Sequence, residues 1–415
     1  MAASDNPTLR MTPVSVPERI EILDVLRGAA LFGIIASNMR AFNSPQAAYV
    51  DHSLMWTSAA DRIAQGFVDL LITGKFITLF SFLFGIGFAM QMERAGARGV
   101  SPRSFYLRRL GVLLLLGVVH SLLLWWGDIL APYALMGFAL FGFRKRSQKT
   151  VLLWAAACYA WPLVLSCAVL IAVTAGVSIP IPPKATAEEL QRISQVFSSG
   201  SYAQMFQERL KEMVFSLMGL VFYYPRILGI FLFGLWCWRA GIVRSLAGRR
   251  SLLRRCLGWG LAVGLTGNAV VVAITEIYHP DPMRPSVLGF VLLVVSSIGM
   301  PTLSMFYASA LALLLRYTAW QSRLRPFAAV GRTALSNYLL QTVICTTLFN
   351  SWGFGLYGKV GPLAGLLPTV LIYGVQVPLS VWWIRRHAFG PLERVWRTLT
   401  YGRLGPMARA TTEAA

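Results

Sequence analysis

An all-α bundle of about ten membrane-spanning helices is the fold class this sequence predicts, and three observations carry it. Hydrophobic residues make up 56% of the 415 and charged residues 13%, against about 25% charged in a soluble domain. Apolar runs of 18 or more residues recur along the chain, the length that crosses about 30 Å of hydrocarbon. Lysine and arginine are shared unevenly between the segments that join those runs. No alternating segments of about ten residues, the mark of a membrane β-barrel, are visible.

The formal net charge of +21 is accounted for by the positive-inside rule, so no nucleic acid is expected as a partner. Cys158, Cys167, Cys237, Cys256 and Cys345 fall inside apolar runs with no CxxC or Cys/His spacing, which predicts structural thiols and no metal. The first apolar run carries Asp24 and Arg27 near its start and lacks a small-residue cleavage site. It reads as an uncleaved first span rather than a signal peptide.

In order, residues 1–18 read as a disordered cytoplasmic tail and 19–385 as the bundle. Span 1 covers about 20–39. Asp24, Arg27, Gly28, Leu31, Ile35 and Asn38 form one helical stripe on it, with Asp24 and Arg27 pairing at the cytoplasmic end and Asn38 at the outer end. An outer loop, 40–65, holds His52. Span 2, about 66–92, carries Lys75 at membrane depth, with snorkelling to the headgroups as the alternative. Spans 3 and 4, about 106–126 and 128–143, meet at Trp126-Gly127-Asp128. His120 lies about two helical turns before Asp128, and Pro132 suits the first turn of span 4.

Span 5 covers about 150–177. An amphipathic insert on the outer side follows at about 178–212, opened by Pro180, Pro182 and Pro183. Span 6, about 213–238, has Tyr224-Pro225-Arg226 at its middle, and spans 7 and 8 run about 256–276 and 286–315. Span 9, about 330–350, sets Asn337 and Gln341 on one face, where amides bind substrate or neighbouring helices. Span 10 is about 361–384. Residues 386–402 read as a helix lying on the inner membrane surface, with Leu392, Val395, Trp396 and Leu399 on one face, and 403–415 as a second disordered tail. Loops and tails on one side hold 26 of the 38 lysines and arginines and those on the other side 8, which predicts both termini inside.

Ionisable groups at membrane depth mark functional sites by default. His120 with Asp128 is the residue pair of a general base, the acid orienting the ring and steadying its cation; Asp128 also suits a helix N-cap, and His120 an interhelical hydrogen bond. Arg27, Lys75 and Arg226 suit the phosphates or carboxylate of an anionic ligand. Tyr133, in the aromatic belt beside the turn, joins Asn337 and Gln341 as a substrate contact.

The blocks LDVLRGAALFGIIASN, GKFITLFSFLFGIGFAM, HSLLLWWGDILAPYALMG, GRTALSNYLLQT and FGPLERVWRTLTYG cover most of the chain. In that order they resemble the signature blocks of the YeiB-like family of bacterial inner-membrane proteins, a family of largely unknown function related to membrane-bound acyltransferases. The Asp-x-x-Arg-Gly start, with Asn38 at the outer end of span 1, is similar to heparan-α-glucosaminide N-acetyltransferase. That relative takes acetyl from acetyl-CoA, modifies an acceptor across the membrane and uses a histidine in the outer loop after its first span. The resemblance implies acyl-CoA as cosubstrate, an envelope acceptor at the outer face, a surround of membrane lipids, and Asn38 as a catalytic residue beside the histidine. Here that loop holds only His52, whose neighbours differ from the relative's. His120, whose block is intact, is therefore the first candidate and His52 the second. A transporter or a structural or regulatory membrane protein is the rival reading, since spans interrupted by Pro225 and Pro301 also suit transport.

Overall fold

The computed structural model describes residues 21–99, 101–179, 183–216 and 219–401. The expected tails, 1–18 and 403–415, and Pro180 and Pro182 lie outside the described residues. In chain order the helices are α1 (Glu21–Asn43), α2 (Gln46–Val50), α3 (Ala59–Leu71), α4 (Lys75–Ala97), α5 (Arg103–Leu123), α6 (Leu130–Gly142), α7 (Gln148–Thr174), α8 (Ala187–Ser199) and α9 (Tyr202–Ser216). They continue with α10 (Gly219–Phe222), α11 (Tyr224–Arg239), α12 (Arg250–Tyr278), α13 (Val287–Leu314), α14 (Thr318–Arg332), α15 (Ala334–Phe349), α16 (Pro362–Arg386) and α17 (Pro391–Tyr401). Short 3-10 turns stand at His52–Leu54 and Leu246–Gly248, and no strand occurs among the described residues.

Among the described residues, seven units are long and apolar enough to cross a membrane: α1, α3 with α4, α5, α7, α12, α13 and α16. Taken as one bent span, α9 to α11 make an eighth, and α6 and α15 are shorter apolar helices. The outward faces stay apolar: Leu153 and Ile171 on α7 and Trp259 and Ile277 on α12 are exposed. Such a surface needs lipid against it, and helices satisfy their own backbone there. The chain is an all-helical, multi-pass membrane protein.

A helix apolar on every side belongs in the middle of a bundle. α1 is of this kind, and it packs against α4, α13, α14, α15 and α16. Its contact with α14 is backbone to backbone: a Cβ on Gly28 would overlap the carbonyl of Phe327, and one on Gly331 the carbonyl of Asp24. Sequence reading placed an inner loop and the start of span 9 where α14 stands. The helix buries Leu324, Ala328, Ala329 and Val330, yet Arg323, Arg325 and Pro326 hide it from an apolar-run search.

Span 2 also differs from expectation. The chain breaks after α3, passes through Gly74 in the left-handed region (φ 81°), and restarts as α4 at Lys75. A helix end leaves carbonyls without partners. The Lys75 ammonium meets one of them, donating to the carbonyl of Asp69, and its side chain is buried.

Side-chain contacts define two ends of the bundle. At the basic end Arg239 donates to the carbonyls of Arg144 and Arg146. There α17 turns Leu392 and Trp396 toward the bundle while Val395 and Leu399 stay exposed. The Arg109 guanidinium lies 3.9 Å from the Trp396 ring centre, and the Trp396 indole donates to the Arg109 carbonyl. Glu393 caps α15: Oε1 accepts the N–H groups of Leu335 and Ser336 at 2.7 and 3.1 Å, and Oε2 accepts the Ser336 hydroxyl at 2.5 Å. An anion at a helix N-terminus meets both its free donors and its dipole. At the far end the Trp125 indole donates to the Ala41 carbonyl, and Asn43 holds the loop before α16 through Gly358 and Val360.

Candidate functional site

His120 sits in the last turn of α5, where its carbonyl accepts the N–H groups of Leu124 and Trp125. The chain then reverses, and Asp128 arrives ahead of α6. Asp128 Oδ1 lies 2.8 Å from His120 Nδ1, and Oδ2 accepts the Ala131 N–H at 2.7 Å. One carboxylate therefore both orients the imidazole and satisfies an orphan donor in the first turn of α6. Gly117, one turn before His120, makes the approach feasible: a Cβ there would fall 2.7 Å from Asp128 Oδ2 and overlap the Ala131 nitrogen.

The other ring nitrogen, Nε2, lies 3.0 Å from the hydroxyl of Thr342 on α15. A carboxylate only accepts, so the neutral ring carries its proton on Nδ1 and leaves Nε2 to accept the Thr342 O–H. The result is an Asp128–His120–Thr342 chain joining the α5–α6 turn to α15. Tyr338 flanks the imidazole with ring centres 5.4 Å apart, and Trp125 with 6.4 Å. Both His120 and Asp128 side chains are only 2% exposed.

Beside them α9 packs on the end of α5. Tyr202 Oη and Arg209 Nη1 both donate to the Leu123 carbonyl, at 2.8 and 2.7 Å, three residues past His120. Arg192 pairs with Glu208 at 2.7 Å and pins α8 to α9, while Ser351 donates its N–H to Phe197 and its hydroxyl to the Gly200 carbonyl. The two helices are thus tied to each other, to the end of α5 and to the turn after α15.

A cavity of about 1190 Å³ opens beside this site at the far end. Its mouth carries the ion pairs Arg62–Glu276 and Arg284–Asp281, at 2.7 and 3.3 Å. Asp51 stands at the mouth too: burial pushes its carboxyl up, but Lys184 at 2.7 Å and the Ser53 hydroxyl and N–H outweigh that and hold it below the usual carboxylate range. Leu170 of α7, Leu293 of α13, Arg226 and Ser296 line it too; Tyr159, which bonds Arg226 and Ser297, lies about three turns deeper than Leu170 along α7, and Ser297 about one turn deeper than Leu293 along α13. Tyr224 lines the cavity and lies within electrostatic reach of Asp128. His120 is not among the lining residues.

The remaining expected residues are scattered. Arg27 pairs with Asp24 at 2.8 Å in the first turns of α1, Lys75 is held at the α3–α4 break, and Arg226 faces the cavity, so the three cations do not share one pocket. Asn38 is half-buried near the end of α1. The backbone of His52 forms a 3-10 turn beyond α2, and its side chain lies outside the described residues. Tyr133 is buried, its hydroxyl 2.6 Å from that of Ser81. Asn337 and Gln341 tie α15 to α16: Asn337 donates to Ser380 at 2.9 Å, and Gln341 to Gln376 at 2.8 Å, which donates back to the Asn337 carbonyl. Sequence reading missed Thr342 and Arg209. The polar run Gln341-Thr342 through Thr346-Thr347 in an apolar helix was the available signal for the first.

Residues 237–403 match the family described as "Protein of unknown function (DUF418)". The chain is 34% identical to the uncharacterized protein YxaH of Bacillus subtilis (strain 168), over 97% of this chain and 99% of that one. It is 31% identical to the uncharacterized protein YeiB of Escherichia coli (strain K12), over 95% and 100%. An uncharacterized 39.9 kDa protein from the amylase 3' region of Bacillus acidopullulyticus is 30% identical over 96% and 98%. With identity at this level running end to end, the chain belongs to the YeiB-like family.

Proposed function

We propose that the protein is a membrane-bound acyltransferase of the bacterial inner membrane, moving an acyl group from acyl-CoA to an envelope acceptor at the outer face. One observation carries the reading: an imidazole oriented by a buried carboxylate presents its accepting nitrogen to a hydroxyl at 3.0 Å. That is the arrangement of a general base. The acceptor's hydroxyl or amine takes the place of the Thr342 hydroxyl at Nε2. As its oxygen or nitrogen bonds to the thioester carbon, Nε2 takes its proton; the C–S bond breaks, and the departing thiolate receives that proton from the imidazolium. Asp128 stabilises the cation between those steps. In this reading the acceptor reaches Nε2 when α9 lifts from the Leu123 carbonyl. Arg27, at the basic end of α1, is the candidate for the CoA phosphates.

The proposed topology has ten spans and both termini in the cytoplasm. It is supported by the seven long units, the bent α9–α11 unit and the two short apolar helices, together with the basic bias of the connecting segments. A reporter fused after Ala410 is expected to be active in the cytoplasm, and one inserted within 186–200 in the periplasm. The reverse pattern refutes this topology.

The activity itself is tested by lipid and glycan profiling of the cell envelope in a deletion strain and in the same strain carrying the gene. One acylated species is expected to vanish on deletion and return on complementation. An unchanged profile under conditions where the protein is abundant in wild-type membranes overturns the reading.

A further inference from the structure

Arg226 is placed for a ligand rather than for the fold. It enters the bundle at the start of α11, whose other end, Arg239, is fixed at the basic end. Thirteen residues of helix put Arg226 about 20 Å from Arg239, well inside the outer half of a hydrocarbon core about 30 Å thick. A cation at that depth normally pairs with an acid or borders a polar cavity. Among the described residues its one hydrogen-bond partner is neutral, the Tyr159 hydroxyl at 2.8 Å. That hydroxyl is itself spent: it donates to the Ser297 carbonyl across the gap between α7 and α13, at 2.6 Å. Tyr159 also supports the guanidinium with its ring, 4.7 Å away. The cation is thus held from below, with four of its five N–H donors unused among the described residues.

Above it stands the cavity. The two cations at its mouth, Arg62 and Arg284, already have acids, and between mouth and floor the walls include Leu170 and Leu293. The order from outside inward is therefore polar mouth, apolar throat, and a cation with no acid partner among the described residues. We infer that this cavity binds an anionic amphiphile, a molecule with a carboxylate or phosphate group seated on Arg226 and an apolar body between α7 and α13. A wholly polar anion would leave the throat unfilled, and a neutral apolar molecule would leave the half-buried cation without a counter-charge. The inference stands whether or not acyl transfer occurs at His120.

The test uses the full-length protein in nanodiscs of zwitterionic lipid, titrated calorimetrically with octyl phosphate, octanoate and 1-octanol, with empty nanodiscs subtracted. At least one of the two anions is expected to bind saturably and about tenfold or more tighter than octanol, as for a charge-assisted bond in a dry site. The tighter of the two identifies the acidic group. Arg226→Gln is expected to erase the preference over octanol and Arg226→Lys to keep most of it. Leu293→Trp, which fills the throat without touching the charge, is expected to weaken the preferred anion about tenfold. Equal binding of all three probes to the wild-type protein, or an undiminished anion preference in folded Arg226→Gln protein, overturns the proposal. The wild-type comparison and the Leu293→Trp arm stand even if Arg226→Gln does not fold.

Discussion

Replacing His120 with alanine is expected to lower acyl transfer about 10²- to 10⁴-fold, the usual loss when a positioned general base is removed. The variant should still reach the membrane at normal abundance, because the ring's partners, Asp128 and Thr342, retain Ala131 and the Tyr338 carbonyl to bond. Asp128→Asn is expected to be nearly as damaging. Both carboxylate oxygens accept, one from Ala131 and one from the imidazole, whereas an amide has a single accepting oxygen. Its NH2 group must face either the Ala131 N–H, which loses the helix start, or Nδ1, which moves the ring proton to Nε2 and turns the base into a donor. Both variants are read in the deletion strain as recovery of the missing acylated species, with membrane abundance measured alongside. Full recovery by His120→Ala at normal abundance would sink the assignment and turn attention to His52.

The largest effect on folding is expected at the crossing of α1 and α14. Gly28→Val or Gly331→Val sets a side chain against a backbone carbonyl on the facing helix. Unlike a rotatable side chain, a helical carbonyl cannot step aside, so the two helices must separate. Overpacking of a close contact costs about 1–3 kcal/mol and more when backbone is involved. That is a large part of the roughly 5–15 kcal/mol that separates folded from unfolded states in most proteins. Gly374→Ala is the matched control: no atom lies within 4 Å of its added Cβ, and alanine is the better helix former. Thermal unfolding of the three variants in detergent should show a deep loss for the first two and none for the control. Equal midpoints would mean that α14 does not hold α1 as described.

How much of this was legible in the sequence varies by the kind of contact. Long apolar runs announced α1, α5, α7, α12, α13 and α16 because burial in lipid is a composition-level demand. His120 and Asp128 were found together because eight residues and one chain reversal separate them, a distance that helix geometry covers. Thr342 comes from 222 positions away, and no local spacing encodes such a meeting. Lys75 drew attention as a deep cation, but the cue to its structural task was the preceding Gly74, which breaks the helix and frees the Asp69 carbonyl. α14 escaped because its buried side is made of small residues among arginines. Its partner surface, two glycines that let backbones touch, carries no hydropathy signal.

Glu393 has a further consequence, and it concerns the order in which the chain is made. The N-terminus of α15 is closed by a carboxylate that lies more than fifty residues later in the sequence, and Leu392 donates back to Ser336. During synthesis α15 precedes its cap, and the N–H groups of Leu335 and Ser336 wait for the carboxylate until α17 has been made. Thr342 and Tyr338, the side of the site opposite α5, ride on that helix. A chain stopped short of residue 393 would contain α15 and α16 and still lack the clasp that fixes this wall.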